Sequence, residues 1–185
     1  MLVEVRWHGR GGQGIVTVSR LLAYAALLDG KYVQAFPEFG PERRGAPVTG
    51  YTRISDEPIS IHSHIYTPDI VVIVDPTLIG TVDVTGGLVK DGTVVANTEK
   101  TVTELKQSLK IENARVYTVN AVRVALDVLG RPIYNTAMLG AVVKASPLVK
   151  MELLDKVVRE RFPGAVGEKN VAVIKRAYEE ATSVE

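Results

Sequence analysis

The 185-residue sequence contains no cysteine. Without thiolates it can form no disulfide, no thiolate-bound structural zinc and no ordinary iron–sulfur cluster. Cysteine nucleophile chemistry is excluded with them. Redox work by this chain would need its electrons carried on another chain or on a bound organic cofactor. Histidine is scarce too: His8, His62 and His64 are the three present, too scattered to suggest a metal site. His62 and His64 would face one side of a strand, as two ligands can. No carboxylate or third histidine accompanies them, so a surface pair is expected.

Charge of either sign is not in excess. With 22 basic and 21 acidic residues the formal net charge is +1, which argues against a general nucleic-acid or membrane-surface binder. Long apolar runs are missing as well. The longest, residues 21–28, is far short of the roughly 20 residues needed to cross a bilayer. The first residues carry no basic-then-apolar leader pattern. A cytoplasmic location is expected, with neither nucleic acid nor membrane as partner.

What is present is an ordinary globular balance, 46% hydrophobic and 23% charged, long enough for one domain, residues 1–185, with a sizeable core. The most informative stretch is Trp7-His8-Gly9-Arg10-Gly11-Gly12-Gln13-Gly14. An apolar run precedes it and a helical apolar pattern over residues 15–28 follows, closing at Asp29-Gly30 with Gly30 as a left-handed cap. Gly9 to Gly14 satisfy G-x-G-x-x-G in its strand-to-helix setting. N–H groups at a helix N-terminus lack partners within the helix and carry the positive end of its dipole. Glycines let the turn bend sharply and let a phosphate approach the backbone. A phosphate-bearing ligand is therefore expected; the competing reading is a tight turn whose glycines only permit helix–strand packing.

Further along, residues 31–36 read as a second strand. Residues 37–47 are dense in proline, glycine and charge, so they form a loop. Residues 48–55 alternate as a third strand, and Asp56-Glu57-Pro58 looks like a turn into Ile59-Ser60-Ile61, giving a hairpin at one sheet edge. Residues 70–74 and 93–96 read as strands buried on both faces, 102–109 as a helix and 115–119 as a strand. Helices follow at 121–129, 136–145, 148–161 and 168–182. The alternation predicts an α/β fold of three layers: a mixed, mostly parallel sheet with helices on both faces and a Rossmann-like start.

A dinucleotide site should also place an acid near the end of the second strand. Asp29, at a helix end, and Glu38, inside the loop, are poor candidates. Arg10, Arg43 and Arg44 could supply charge-assisted contacts to phosphate, or could lie solvated or paired with Glu38 or Glu42. Asp75, Asn97 and Asn120 each follow a strand, where open α/β sheets place ligands. Asp and Asn equally cap helices and shape turns, and for Asp75 before Pro76 the turn is expected. Asn135-Thr136 is expected to cap a helix starting near Ala137.

The sequence resembles the gamma subunit of pyruvate (2-oxoacid):ferredoxin oxidoreductases. The resemblance rests on the glycine segment, on Gln34 through Pro47, on Pro68-Asp69-Ile70 to Asp75-Pro76, and on Gly130 through Gly140. It implies oxidative decarboxylation of a 2-oxoacid onto coenzyme A, with two electrons passed to ferredoxin. It implies alpha, beta and delta subunits as partners, ferredoxin being reached through the complex. Thiamine diphosphate, magnesium and iron–sulfur clusters are then held by those subunits, and no catalytic acid, base or nucleophile by this one. It also implies a role in coenzyme A binding, for which Gly9, Arg10, Gly11, Gly12, Gln13 and Gly14 with Arg43 and Arg44 are the candidate residues. A free-standing NAD- or FAD-dependent oxidoreductase and a purely structural subunit remain the alternatives.

Overall fold

The computed structural model describes residues 1–38 and 44–183. A seven-stranded sheet runs in the order β2-β3-β1-β4-β5-β6-β7. Its strands are β1 (Leu2–Arg10), β2 (Tyr32–Pro37), β3 (Pro47–Ser55), β4 (Ile70–Ile73), β5 (Thr93–Asn97), β6 (Arg115–Val119) and β7 (Thr182–Ser183). Strands β1, β2, β4, β5 and β6 share one direction, while β3 and β7 oppose it. The mixed, mostly parallel α/β architecture is as expected.

The helices are α1 (Ile15–Leu28), α2 (Val102–Leu109), α3 (Ala121–Leu129), α4 (Asn135–Ala145), α5 (Met151–Arg161) and α6 (Ala165–Glu180). From β1 the chain crosses through α1 to one side of the sheet, and from β4 it steps to the other. Right-handed crossovers in opposite directions put their helices on opposite faces. Accordingly α1 packs with α3, α4, α5 and α6 over Val5, Trp7, Val72 and Val95. On the other face α2 and a short 3-10 turn at Pro76–Leu78 cover Val71, Ile73, Val94 and Val116. Strands buried on both faces carry β-branched runs because every side chain meets apolar neighbours.

The expected hairpin of residues 48–55 with 59–61 does not form. Residues 59–61 are not in a strand, and β3 lies inside the sheet, paired with β1 and β2. Long-range polar bonds fix it there. Trp7 Nε1 donates to Thr52 Oγ1 (3.1 Å), whose hydroxyl donates to the Ser19 carbonyl (2.9 Å), tying β1, β3 and α1 together. Pro58 offers no N–H to a neighbouring strand. Residues 62–64 are likewise not in a strand. His62 is exposed and His64 lies over Tyr51, with ring centroids 5.2 Å apart.

Three helix starts differ from expectation. The α4 helix opens at Asn135 after Tyr134, without a side-chain cap. Asn135 instead donates to the Gly14 carbonyl (3.4 Å), and Thr136 donates to Asn170 (2.8 Å). The α5 helix begins at Met151 and α6 at Ala165. Helices α4 and α6 pack so closely at Gly140 that a Cβ there would fall 2.0 Å from the Ile174 carbonyl oxygen. Because that obstacle is backbone, Gly140→Ala must push the helices apart. The expected loss is about 1–3 kcal/mol, the usual cost of overpacking a core, read as a lower urea midpoint at unchanged slope.

Candidate active-site face: the glycine turn and its cleft

Neighbouring connections diverge between β1 and β4, and open α/β sheets bind ligands at the carboxyl ends of strands beside such a switch point. The glycine turn sits there. Strand β1 continues to Arg10, so Gly9 is a strand residue opposite Val48. A Cβ on Gly9 would lie 2.3 Å from Ile15 Cδ1, and one on Gly14 would lie 2.2 Å from Asn135 Nδ2. Close packing, of β1 against α1 at Gly9 and of the start of α1 against α4 at Gly14, thus accounts for these two glycines without any ligand. Gly14 is also left-handed, with φ 73°, where an L side chain is strained.

The rest of the turn is engaged at Gly11 and at Gln13, whose N–H donates to the Arg10 carbonyl (3.0 Å). Gly11 N–H donates to the Ala46 carbonyl (2.8 Å), and Gly45 N–H donates to the Gly11 carbonyl (3.0 Å). The returning arm of the 37–47 loop therefore docks on the turn. Gly12, at φ 91°, is exposed, and a Cβ there would lie 3.6 Å from Arg44 Cγ. Helix α1 has no side-chain cap and no acid in its first turn. Among the described residues, the Gly12 and Gly14 N–H groups have no hydrogen-bond partner. An uncapped helix N-terminus with outward N–H groups suits an anion. Arg43 lies outside the described residues.

Arg10 and Gln13 face the same place but are largely engaged. Gln13 Oε1 accepts from the Arg10 N–H (2.7 Å), while its amide donates to Asp75 Oδ2 (2.7 Å) and the Tyr134 hydroxyl (3.2 Å). Arg10 donates to Thr77 Oγ1 through Nε (3.2 Å) and Nη2 (2.9 Å), donates to the Gly45 carbonyl (3.1 Å), and lies 3.3 Å from Asp75 Oδ2. Arg10 thus holds the turn to the 37–47 loop and to the end of β4.

Asp75 is the hub of this network. It caps the 3-10 turn, accepting from the Thr77 N–H (2.9 Å) and hydroxyl (2.6 Å). Burial alone would raise its carboxyl, but bonds from Thr77 and Gln13 and the charge of Arg10 outweigh that and hold it below the usual value. The Tyr134 hydroxyl is pushed up by burial and by Asp75, so it stays a neutral hydroxyl that accepts from Gln13. Asp75 therefore fulfils the turn expectation and also organises Arg10 and Gln13, which spacing in the sequence does not reveal.

Beyond Asp75 a cleft of about 620 Å³ runs past the ends of β4, β5 and β6, lined by Thr77, Asn97, Lys100, Asn120 and Tyr134 among others. Asn97 is structural: it donates to the Val74 carbonyl (3.1 Å) and accepts from the Ala121 N–H (3.0 Å). Asn120 caps α3 by accepting from the Arg123 N–H (2.9 Å). Among the described residues no cluster of His, Asp and Glu is arranged to hold a metal ion, and no helix is long and apolar enough to cross a membrane.

The position of β3 bears on dinucleotide binding. Glu38 follows β2 directly and donates its N–H to the Thr49 carbonyl (2.8 Å). With β3 wedged between β1 and β2, the end of β2 is two strand spacings, about 10 Å, from the glycine turn. In dinucleotide folds the acid-bearing strand is the immediate neighbour. The Glu38 carboxylate instead accepts from the Tyr51 hydroxyl (3.4 Å).

Comparison with known proteins agrees with this architecture. The "Pyruvate/ketoisovalerate oxidoreductases common subunit gamma" of Thermococcus litoralis is 52% identical, covering all of both chains. The crystal structure of pyruvate oxidoreductase subunit PORC from Thermotoga maritima superposes with a TM-score of 0.90 at 39% identity, covering 100% of this chain and 99% of that one. The 2-oxoglutarate:ferredoxin oxidoreductase of Magnetococcus marinus, solved with 2-oxoglutarate, coenzyme A and succinyl-CoA bound, shares the fold at TM-score 0.76 and 18% identity. All of this chain aligns there to 32% of that longer one. Residues 4–180 match the family described as pyruvate ferredoxin/flavodoxin oxidoreductase; the chain belongs to that family and groups with its gamma subunits.

Proposed function

We propose that this chain is the gamma subunit of a 2-oxoacid:ferredoxin oxidoreductase, most simply one acting on pyruvate, and that it binds the phosphates of coenzyme A at the opening of α1. The assembly would convert a 2-oxoacid and coenzyme A to acyl-CoA and carbon dioxide while reducing ferredoxin. Thiamine diphosphate, when bound, supplies the carbanion stabilisation, and iron–sulfur clusters carry the electrons. Those groups, with magnesium, belong to the alpha, beta and delta subunits on this reading; a chain without cysteine offers the clusters no ligands. The continuous sheet favours reading residues 1–185 as one domain, and a cytoplasmic location fits the partners.

The carrying observation is the uncapped start of α1 beside an exposed Gly12 N–H and the Arg44 side chain. Coenzyme A brings a diphosphate and a 3′-phosphate, which need outward N–H groups and guanidinium donors. In this reading Gly12 and Gly14 present backbone N–H groups, Gly9, Gly11 and Gln13, whose own N–H donates to the Arg10 carbonyl (3.0 Å), shape the turn, and Arg44 and Arg43 supply charge. Arg10 positions the turn through Thr77 and Asp75. Nothing here abstracts a proton or attacks a carbonyl; the role is to hold and orient. The dinucleotide alternative is disfavoured by the insertion of β3, whereas the packing at Gly9 and Gly14 would also suit a structural subunit.

Steady-state kinetics of the assembled complex separate these readings. Losing one charge-assisted hydrogen bond costs about 1.5–3 kcal/mol, so Arg44→Ala should raise KM for coenzyme A about 10- to 100-fold. KM for the 2-oxoacid should not change. Equal KM values for coenzyme A in variant and parent, with the complex intact, would leave only the structural role.

A further inference from the structure

The outer face of α1 is unlike a solvated helix surface. Its fourteen residues include one charged side chain, Arg20, and Tyr24, Leu27 and Leu28 are 56%, 49% and 46% exposed. Leu27 and Leu28 line a groove of about 490 Å³ between α1 and α5. A second groove of about 390 Å³ shares Thr17 and Arg161 with it and runs on to the exposed Ile133 and Val166. At 1.5 Å per residue α1 is about 21 Å long, so the joined grooves match a helix of about four turns. Contiguous exposed apolar surface rimmed by polar groups marks an interaction site.

The rim has one dominant sign. Arg20, Arg131, Arg161 and Lys169 border the grooves, against Glu160 alone. Among the described residues none of these four cations has a carboxylate within 4.0 Å; elsewhere on the same helical layer Arg123, Lys150, Arg159, Lys175 and Arg176 are paired, and Lys144 and Lys156 are not. In a chain of net charge +1 this is a local arrangement. It also disfavours a second copy of the chain: a two-fold contact apposes one patch to itself, and would set four cations against four.

We infer that this groove seats an acidic amphipathic helix from another subunit of the assembly. Apolar side chains repeating at three- and four-residue steps along its turns would lie on Leu27 and Leu28 in the first groove and on Ile133 and Val166 in the second, with flanking carboxylates meeting the rim cations. The inference rests on the chain working beside other subunits, and not on coenzyme A binding.

Hydroxyl-radical footprinting compares Tyr24 in the free chain and in the purified complex, without coenzyme A. Carbodiimide coupling of the complex joins Lys169 to any carboxylate in contact. The expected result is Tyr24 protection only in the complex, with Lys169 coupled to Asp or Glu residues at helical spacing on one partner. Arg20→Glu combined with Arg161→Glu, its fold checked by circular dichroism, should weaken association at least tenfold. Tyr24 equally reactive in both states, coupling to another copy of this chain, or unaltered association of the charge-reversed variant would overturn the proposal. Because the footprint is read without coenzyme A, a failed phosphate site leaves this result intact.

Discussion

Arg53→Met is expected to destabilise the chain by about 3–5 kcal/mol, the cost of removing one member of a buried ion pair. Arg53 is 1% exposed on β3 and its guanidinium is spent on four acceptors. It donates to Glu4 Oε1 (2.7 Å), Gln34 Oε1 (3.1 Å) and the carbonyls of Ser63 (2.8 Å) and His64 (3.3 Å). Methionine fills similar volume but leaves these acceptors without their donor. For a domain of this size the loss corresponds to a fall in Tm of about 6–20 °C. Residues 63–64 are held to the sheet face by this side chain, so cleavage there by a non-specific protease should quicken as well. Scanning calorimetry checks the first effect and a timed digest the second; an unchanged Tm would contradict the assignment.

The second large effect is a loss of stability in acid centred on His8. Burial and then the charge of Arg6 lower its pKa from 6.5 to about 4, against a weaker opposing bond to the Val84 backbone. Its Nε2 accepts from Arg6 Nε (3.0 Å), so protonation there would end that bond. The unfolded chain therefore takes up this proton at higher pH than the folded one. Stability from a neutral His8 is complete above pH 6.5 and declines as the pH falls from 6.5 to about 4. At about 1.4 kcal/mol per pH unit the total approaches roughly 3 kcal/mol. His8→Gln removes the titrating group, so its urea midpoint should fall less than the parent's over this window. Parallel pH profiles for the two proteins would contradict this account.

Both effects lie on the sheet face away from α1, which sequence patterning described least well. The helix α1 and strands β4 and β5 were legible because apolar periodicity and continuous β-branched runs report burial directly. The alternation of residues 48–55 reads the same whether the strand lies at an edge or inside. Its backbone ladders with β1 and β2, and the bonds of Thr52 to Trp7 and Ser19 and of Arg53 to Glu4 and Gln34, place it between those strands. A buried arginine looks like a surface residue until its acceptors are known.

The site was legible in outline for a similar reason. The strand, glycine turn and helix are adjacent in sequence, so their order announces an anion-ready N-terminus. Asp75 and Tyr134 join through Gln13 from 62 and 121 residues away, and no local spacing records that. The sequence also does not distinguish glycines needed for packing, Gly9 and Gly14, from Gly12, whose backbone faces solvent. Asn135 illustrates the same limit: its side chain reaches back to Gly14 instead of capping its own helix.

Amide hydrogen exchange across residues 10–17 of the assembled complex, with and without coenzyme A, tests the anion site most directly. Unpartnered N–H groups at Gly12 and Gly14 exchange quickly when free and should slow on ligand addition, less so with the analogue lacking the 3′-phosphate if that group is seated there. Unchanged exchange over this segment, with protection appearing elsewhere in the complex at saturating coenzyme A, would contradict it.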